Sequence, residues 1–186
     1  MDNIMFCSCG RRATLLKDFR KSMNGCGKIV ATDMSPVAPA LFMADETYLV
    51  PRIDDPSYYE HVLDICEKSK VKAITTLIDP EIEILAKNRE DLLSKGILPL
   101  CPADWTARLC YDKYEMFKYL HDKGVRTILT YNSLEGFKNG LEKGEISFPV
   151  FMKPINGSGS VGIGKVNSWE EAEAKFKDGK FTYIIQ

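Results

Sequence analysis

Phe148-Pro149-Val150-Phe151-Met152-Lys153-Pro154-Ile155-Asn156-Gly157-Ser158-Gly159-Ser160-Val161-Gly162-Ile163-Gly164-Lys165-Val166 is the stretch on which the reading of this chain turns. Phe148 to Lys153 reads as a strand, Asn156 to Gly164 is rich in glycine, and Lys165-Val166 continue into another strand. Three phosphate-binding patterns overlap here. Gly157, Gly159 and Gly162 satisfy G-x-G-x-x-G, but the dinucleotide version runs from a strand into a helix whose N-terminus faces the pyrophosphate. Here Val161, Ile163 and Val166 lead into a strand. Gly159 to Lys165 fits G-x-x-x-x-G-K, yet Val166 stands where a P-loop needs a hydroxyl for magnesium, and no helix follows. A protein kinase places its glycine loop before the strand that bears the lysine, whereas Lys153 comes before this one. What remains is a hairpin flap with a lysine on its incoming strand. Such a flap can fold over a triphosphate. Backbone N–H groups and the Ser158 and Ser160 hydroxyls donate to phosphate oxygens, and Lys153 offsets their charge. A Gly-Ser hairpin with no ligand is the plainer reading, and the loop alone does not decide between them.

Working back towards the N-terminus, strand and helix alternate. Ile4 to Ser8 is a short apolar run ended by Gly10, and Leu15, Leu16, Phe19 and Met23 then share a helical face that Asn24-Gly25 stops. Lys28 to Thr32 reads as a strand ending at Asp33, and Tyr48 to Val50 as a short one. Ser57-x-x-Glu60 predicts a capping box, and Val71 to Leu77 a core strand. Asp79-Pro80 predicts an N-cap and first-turn proline for one helix through Leu93, closed at Gly96. Ile97 to Cys101 is a further strand. Such alternation implies a mostly parallel sheet with helices on both faces. Past Pro102 the pattern changes. Asp112-x-x-Glu115, Ser133 and Ser168-x-x-Glu171 open helices, while Thr127 to Tyr131 and Phe181 to Ile185 read as strands.

Composition sets the outer limits. The chain has 186 residues, 25 basic and 26 acidic, so a net charge of -1 gives no surplus for a polyanion such as nucleic acid. No apolar run approaches the roughly 18 residues that span a bilayer, and Met1-Asp2-Asn3-Ile4 is no secretory signal. A cytoplasmic chain is expected, with Cys7, Cys9, Cys26, Cys66, Cys101 and Cys110 as reduced thiols. None is spaced as a zinc knuckle, and His61 and His121 sit in helices as structural residues.

Phe148 to Pro154 followed by Gly157 to Gly162 resembles the first nucleotide-binding segment of ATP-grasp enzymes. Asp112-Lys113, a helix and then Gly124-Val125 are similar to the segment that opens their grasp domain. Gly10-Arg11-Arg12, Asp33 and Ile78-Asp79-Pro80-Glu81 resemble the preceding domain, closest to carbamoyl phosphate synthase large-subunit-like proteins. The resemblance implies an α/β fold: a Rossmann-like pre-ATP-grasp sheet domain at 1–104, then a partial α+β grasp subdomain at 105–186. It implies ATP and magnesium as cofactors, and a carboxylate activated through an acyl phosphate for attack by a nucleophile. Lys113 and Lys153 match the lysines on the phosphates and adenine side, and Gly157, Ser158, Gly159, Ser160, Val161 and Gly162 match the flap.

The substrate end is less specified. Gly10, Arg11, Arg12, Asp33 and Asp79 fall at carboxyl ends of strands, where open α/β sheets bind ligands. Arg11 or Arg12 can grip a carboxylate bidentately; alternatively the arginines are surface residues and Asp79 only a cap. The sequence stops at Tyr183-Ile184-Ile185-Gln186, where the family continues into its adenine hinge and then its magnesium ligands. The expectation is an N-terminal part, inactive alone, with a homodimer left open. A non-catalytic nucleotide-binding module, or an assembly module that pairs with a separate chain, is the alternative.

Overall fold

β-Branched and apolar runs at the start of the chain form strands buried along their whole length. The structure, a computed structural model, describes residues 2–186. Asn3–Cys7 (β1), Ile29–Asp33 (β2), Glu46–Leu49 (β3), Val71–Thr76 (β4) and Leu98–Pro99 (β5) form one sheet in the order β3-β2-β1-β4-β5. All its pairs are parallel. Every residue of β1 and β2 is buried, as expected of strands covered on both faces. Period-two alternation sorts them. Ile4, Phe6, Ile29 and Ala31 pack with Leu16 of α1 (Ala13–Met23) and with Leu41. Met5, Cys7 and Val30 pack instead with Val62 and Ile65 of α2 (Tyr58–Lys68), Leu85 of α3 (Asp79–Lys87) and Leu92 of α4 (Arg89–Ser94). Each large apolar side chain buried this way contributes roughly 1.5–3 kcal/mol. The α/β class with a parallel sheet is thus as the sequence predicts.

The chain divides into two compact units, Met1–Ala107 and Arg108–Gln186. The second holds the latter half of α5 (Asp104–Tyr111), then α6 (Lys113–Asp122), α7 (Leu134–Glu142), β6 (Val150–Pro154), β7 (Gly164–Val166), α8 (Trp169–Lys177) and β8 (Tyr183–Ile185). Its sheet is antiparallel, ordered β7-β6-β8. Val150, Met152, Val166, Tyr183 and Ile185 meet Phe137 and Ala172 from α7 and α8. Phe137 stacks on Trp169 with ring centroids 6.0 Å apart and meets Phe148 edge-on at 5.6 Å.

Local chemistry accounts for where the structure departs from the sequence pattern. The single helix expected after Asp79 is two, because Asn88 ends α3 and opens α4 while its Nδ2 donates to the Ile84 carbonyl. Asp79 is the first residue of α3 and Ile78 its N-cap, so Asp79 caps nothing. Ser57 makes no capping box: its hydroxyl donates to Asp55 Oδ1 instead of accepting from the helix. Thr127 to Tyr131 is no strand. Only Tyr131 pairs, with Ile185, and Ile128 is 69% exposed with no strand beside it. The Asp112, Ser133 and Ser168 caps form as predicted.

Candidate functional site

In the second unit, alternation along β6 separates core-facing from outward-facing positions. Val150, Met152 and Pro154 are buried, whereas Phe151 is 53% exposed and Lys153 half-buried on the opposite face. Phe151 pairs with Lys165 and Lys153 with Ile184 across the sheet. That face therefore presents two cations around an aromatic ring.

The β6–β7 hairpin carries the glycine loop, and Asn156 to Val161 are all exposed. Gly157, Gly159 and Gly162 have φ of +103°, +68° and +76°, a region that side chains disfavour. Their surroundings differ. A Cβ on Gly157 or Gly159 would meet nothing, so backbone there is open to a ligand. A Cβ on Gly162 would lie 2.8 Å from Pro154 and 2.9 Å from Phe181, so this glycine seats the loop against its own unit. Ser160 also takes positive φ, at +61°, and with Ser158 stands exposed. Val161 is 66% exposed at the tip.

Lys113 sits at the first turn of α6, whose Asp112 cap accepts from Tyr114 N and Glu115 N. Its backbone N–H donates to the Ile155 carbonyl at 3.0 Å. Its ammonium donates to the carbonyls of Ile155 at 3.2 Å and Gly157 at 3.0 Å. Of the two lysines named from sequence, Lys113 is therefore bonded to the loop's first residues, and Lys153 lies on the strand that leads into them. Open backbone donors, two hydroxyls and two lysines within one unit form a donor set suited to phosphate oxygens, and so fit ATP. Magnesium is a different case. Among the described residues no group of three or more His, Cys, Asp or Glu side chains is placed to hold a metal ion.

In the first unit the strand order reverses between β1 and β4, the usual place for a crevice in an open α/β sheet. A cleft of about 320 Å³ opens there, at the carboxyl ends of the strands. Arg12, Arg52, Asp33 and Ser8 supply its polar lining, and Met34, Val50 and Ile53 part of its apolar wall. Asp33 holds the floor together: Oδ2 accepts from Gly10 N at 2.8 Å and Oδ1 from Ser35 N at 2.9 Å. Of the arginine pair, Arg12 lines the cleft, while Arg11 is exposed and outside its lining. Asp79, exposed on α3, is also outside it.

Sequence reasoning missed Glu81, which is fully buried beneath this edge. Tyr58 Oη and Thr76 Oγ1 both donate to its carboxylate. Burial pushes its pKa up to about 7, against hydrogen bonds from Ser8 and Cys7 that lower it, with Asp33 raising it further. The signal was there: Glu81 lies one helical turn before core Leu85, a position that normally faces the core.

Residues 4–100, just over half of the chain, match the family model described as PylC-like, N-terminal domain. Among curated proteins, a D-alanine--D-alanine ligase of Corynebacterium jeikeium (strain K411) is 54% identical over 33 residues, 18% of this chain and 9% of the ligase. Among solved structures, the chain resembles the biotin carboxylase domain of Hydrogenobacter thermophilus 2-oxoglutarate carboxylase, a dimer with MgADP, ADP and bicarbonate. The TM-score is 0.73 at 20% identity, over 100% of this chain and 44% of that one. N5-carboxyaminoimidazole ribonucleotide synthetase of Thermus thermophilus gives 0.70 at 19% identity, over 98% of this chain and 46% of that one. The chain thus spans less than half the length of these relatives. With that family match over its first hundred residues and this shared architecture along its whole length, the chain belongs to the PylC-like N-terminal domain family and shares the fold of the corresponding part of these two structures.

Proposed function

We propose that these 186 residues form the N-terminal part of an ATP-dependent ligase of the carboxylate-activating kind. The observation that carries this is the flap: an exposed glycine loop keyed by its first carbonyls to Lys113 and preceded by Lys153. Bound ATP would supply the γ-phosphoryl group to a carboxylate oxygen, with ADP leaving, and a nucleophile adding to the acyl carbon would then release phosphate. Around it, the open N–H groups near Gly157 and Gly159 and the Ser158 and Ser160 hydroxyls donate to phosphate oxygens. The Lys113 and Lys153 ammonium groups offset the negative charge. Arg12 in the cleft of the first unit grips the substrate carboxylate bidentately. The biotin carboxylase domain with MgADP and bicarbonate, and the D-alanine--D-alanine ligase, support a small carboxylate substrate. Magnesium ligands come from outside these residues, so this chain alone binds ATP weakly and turns none over.

Titration of the isotope-labelled chain with millimolar ATP tests this by amide shifts. Changes confined to Gly157–Gly162, Lys153 and Lys113 are expected. No change in the loop would overturn the nucleotide assignment. ATP turnover with a carboxylate by these residues alone would overturn the placement of the metal ligands elsewhere.

A further inference from the structure

A second and larger recess, of about 1140 Å³, opens in the first unit at the amino ends of the parallel strands, the end of the sheet away from the cleft. Asn3 and Val71, the first residues of β1 and β4, line it together with Ser69, and all three are buried. Hydrogen bonds fix this floor. Asn3 Nδ2 donates to the Ser69 carbonyl at 2.7 Å, Asn3 Oδ1 accepts from Lys28 N at 3.0 Å, and Ser69 Oγ donates to Glu46 Oε2 at 2.7 Å. Five lysines line the recess against three carboxylates, in a chain whose net charge is -1. Three of the five are engaged: Lys28 with Glu46 at 2.8 Å, Lys95 with Asp91 at 2.5 Å, and Lys68 over the Tyr48 ring. Among the described residues, Lys70 and Lys72 have no ion-pair or ring partner.

Lys70 stands where this fold otherwise uses glycine. Five helices, α2, α4, α6, α7 and α8, are left through a residue of positive φ two places past the last helical one. Gly96, Gly124, Gly144 and Gly179 fill that place after four of them, with φ between +65° and +72°. After α2 it is Lys70, at +49°, whose N–H donates to the Glu67 carbonyl just as Gly96 N does to Leu93. A Cβ makes this conformation costly and glycine avoids the cost, so the lysine is kept against the preference of its own backbone. The dipole of α2 does not account for it, because Lys68 already supplies a cation in the last turn. We infer that Lys70 and Lys72 are the phosphate-holding cations of a second ligand site, one that takes a small phosphorylated polyol such as a sugar phosphate. Two uncommitted ammonium groups match the nearly two charges of a phosphate monoester, which lysine holds as a point charge. Asp64 and Glu67, exposed one turn apart on α2, only accept hydrogen bonds and so suit the hydroxyls of the same ligand. Leu63 and Ile97 give it an apolar wall.

The test titrates the isotope-labelled 186-residue chain with ribose 5-phosphate, inorganic phosphate and ribose at one pH and ionic strength. Ribose 5-phosphate is expected to shift the Ser69 to Lys72 amides saturably, inorganic phosphate to bind there more weakly, and ribose to leave them unmoved. Lys70→Gly and Lys72→Gln should each weaken ribose 5-phosphate about five- to tenfold, the loss of one charged contact. Lys17→Gln, on α1 outside the recess, should not weaken it. Lys70→Gly should also raise the urea midpoint, since it relieves the backbone while removing the cation, so weaker binding in this variant cannot come from unfolding. Saturable shifts confined to Gly157–Gly162, or none at all, overturn the site. Equal weakening by Lys17→Gln reduces it to diffuse charge and overturns it too. A lower urea midpoint in Lys70→Gly means that the lysine is kept for stability and overturns its role, as does unchanged affinity in that variant. Inorganic phosphate binding as tightly as ribose 5-phosphate overturns the polyol assignment. None of these results bears on ATP at the flap, which is titrated separately.

Discussion

The two sheets of this chain solve burial differently. The five-stranded parallel sheet is covered on both faces by separate apolar clusters, and its polar groups gather in a recess at one edge. The three-stranded antiparallel sheet has one packed face, and its other carries exposed Phe151 and Lys165 beside buried Ile184. A sheet sealed on both sides can offer a ligand only its ends, where side chains are fixed by buried partners. A sheet with one packed face can offer part of the other, here around Phe151 and Lys165, and a hairpin of open backbone. The first suits selection of a small substrate, and the second suits a larger, flat and charged one.

One cluster carries the second sheet, so it is the easier of the two to break. Phe137 is fully buried among Trp169, Phe148 and Tyr131. Phe137→Ala should cost about 3–5 kcal/mol, enough to unfold the second unit at ambient temperature. Urea denaturation followed by Trp169 fluorescence checks this. A loss below about 1 kcal/mol would mean that the face carrying Phe151 contributes more packing than its exposure implies.

The sealed sheet should be sensitive to pH where the open one is not. Glu81 has a folded pKa of about 7 against 4.5 for the free side chain, so folding favours its protonated form. Its contribution is therefore fully present below pH 4.5 and is lost as pH rises through 7. Between pH 5 and pH 8 the loss should reach roughly 2 to 3 kcal/mol. Glu81→Gln should remove that slope and be the more stable form at pH 8. Denaturation midpoints at several pH values measure it, and parallel slopes for both proteins would show that Glu81 does not titrate in this range.

Much of this contrast was legible in the sequence. The β-α alternation of the first hundred residues announces a sheet covered on both faces, whereas Val150-Phe151-Met152-Lys153 reads only as a strand, and its two unlike faces emerge from its burial. The flap was legible because glycine spacing and the valines after it exclude a helix. Glu81 was not. Its burial depends on Tyr58 and Thr76, distant in sequence, and a Pro-Glu pair at a helix start looks like ordinary first-turn charge. Nor did the arginine pair distinguish itself: only the turn from Cys9 to Arg12, closed by Arg12 N on the Cys9 carbonyl, decides that Arg12 lines the cleft.

Helix starts give the finest test of the same contrast, since Ser57 in the first unit and Ser168 in the second share one sequence pattern, S-x-x-E. In the second unit the pattern does its local work: Ser168 Oγ accepts from Glu171 N, and the Glu171 carboxylate accepts from Asn167 N at 2.8 Å. In the first unit Asp55 has taken over, accepting from both the N–H and the hydroxyl of Ser57. Ser168→Ala should therefore cost about 1 kcal/mol, whereas Ser57→Ala should stay within about 0.5 kcal/mol of the parent. Asp55→Ala should exceed Ser57→Ala, because it removes the acceptor from two donors at once. Equal losses for the two serines, measured by urea denaturation, would mean that the motif and not the neighbouring aspartate governs the start of α2.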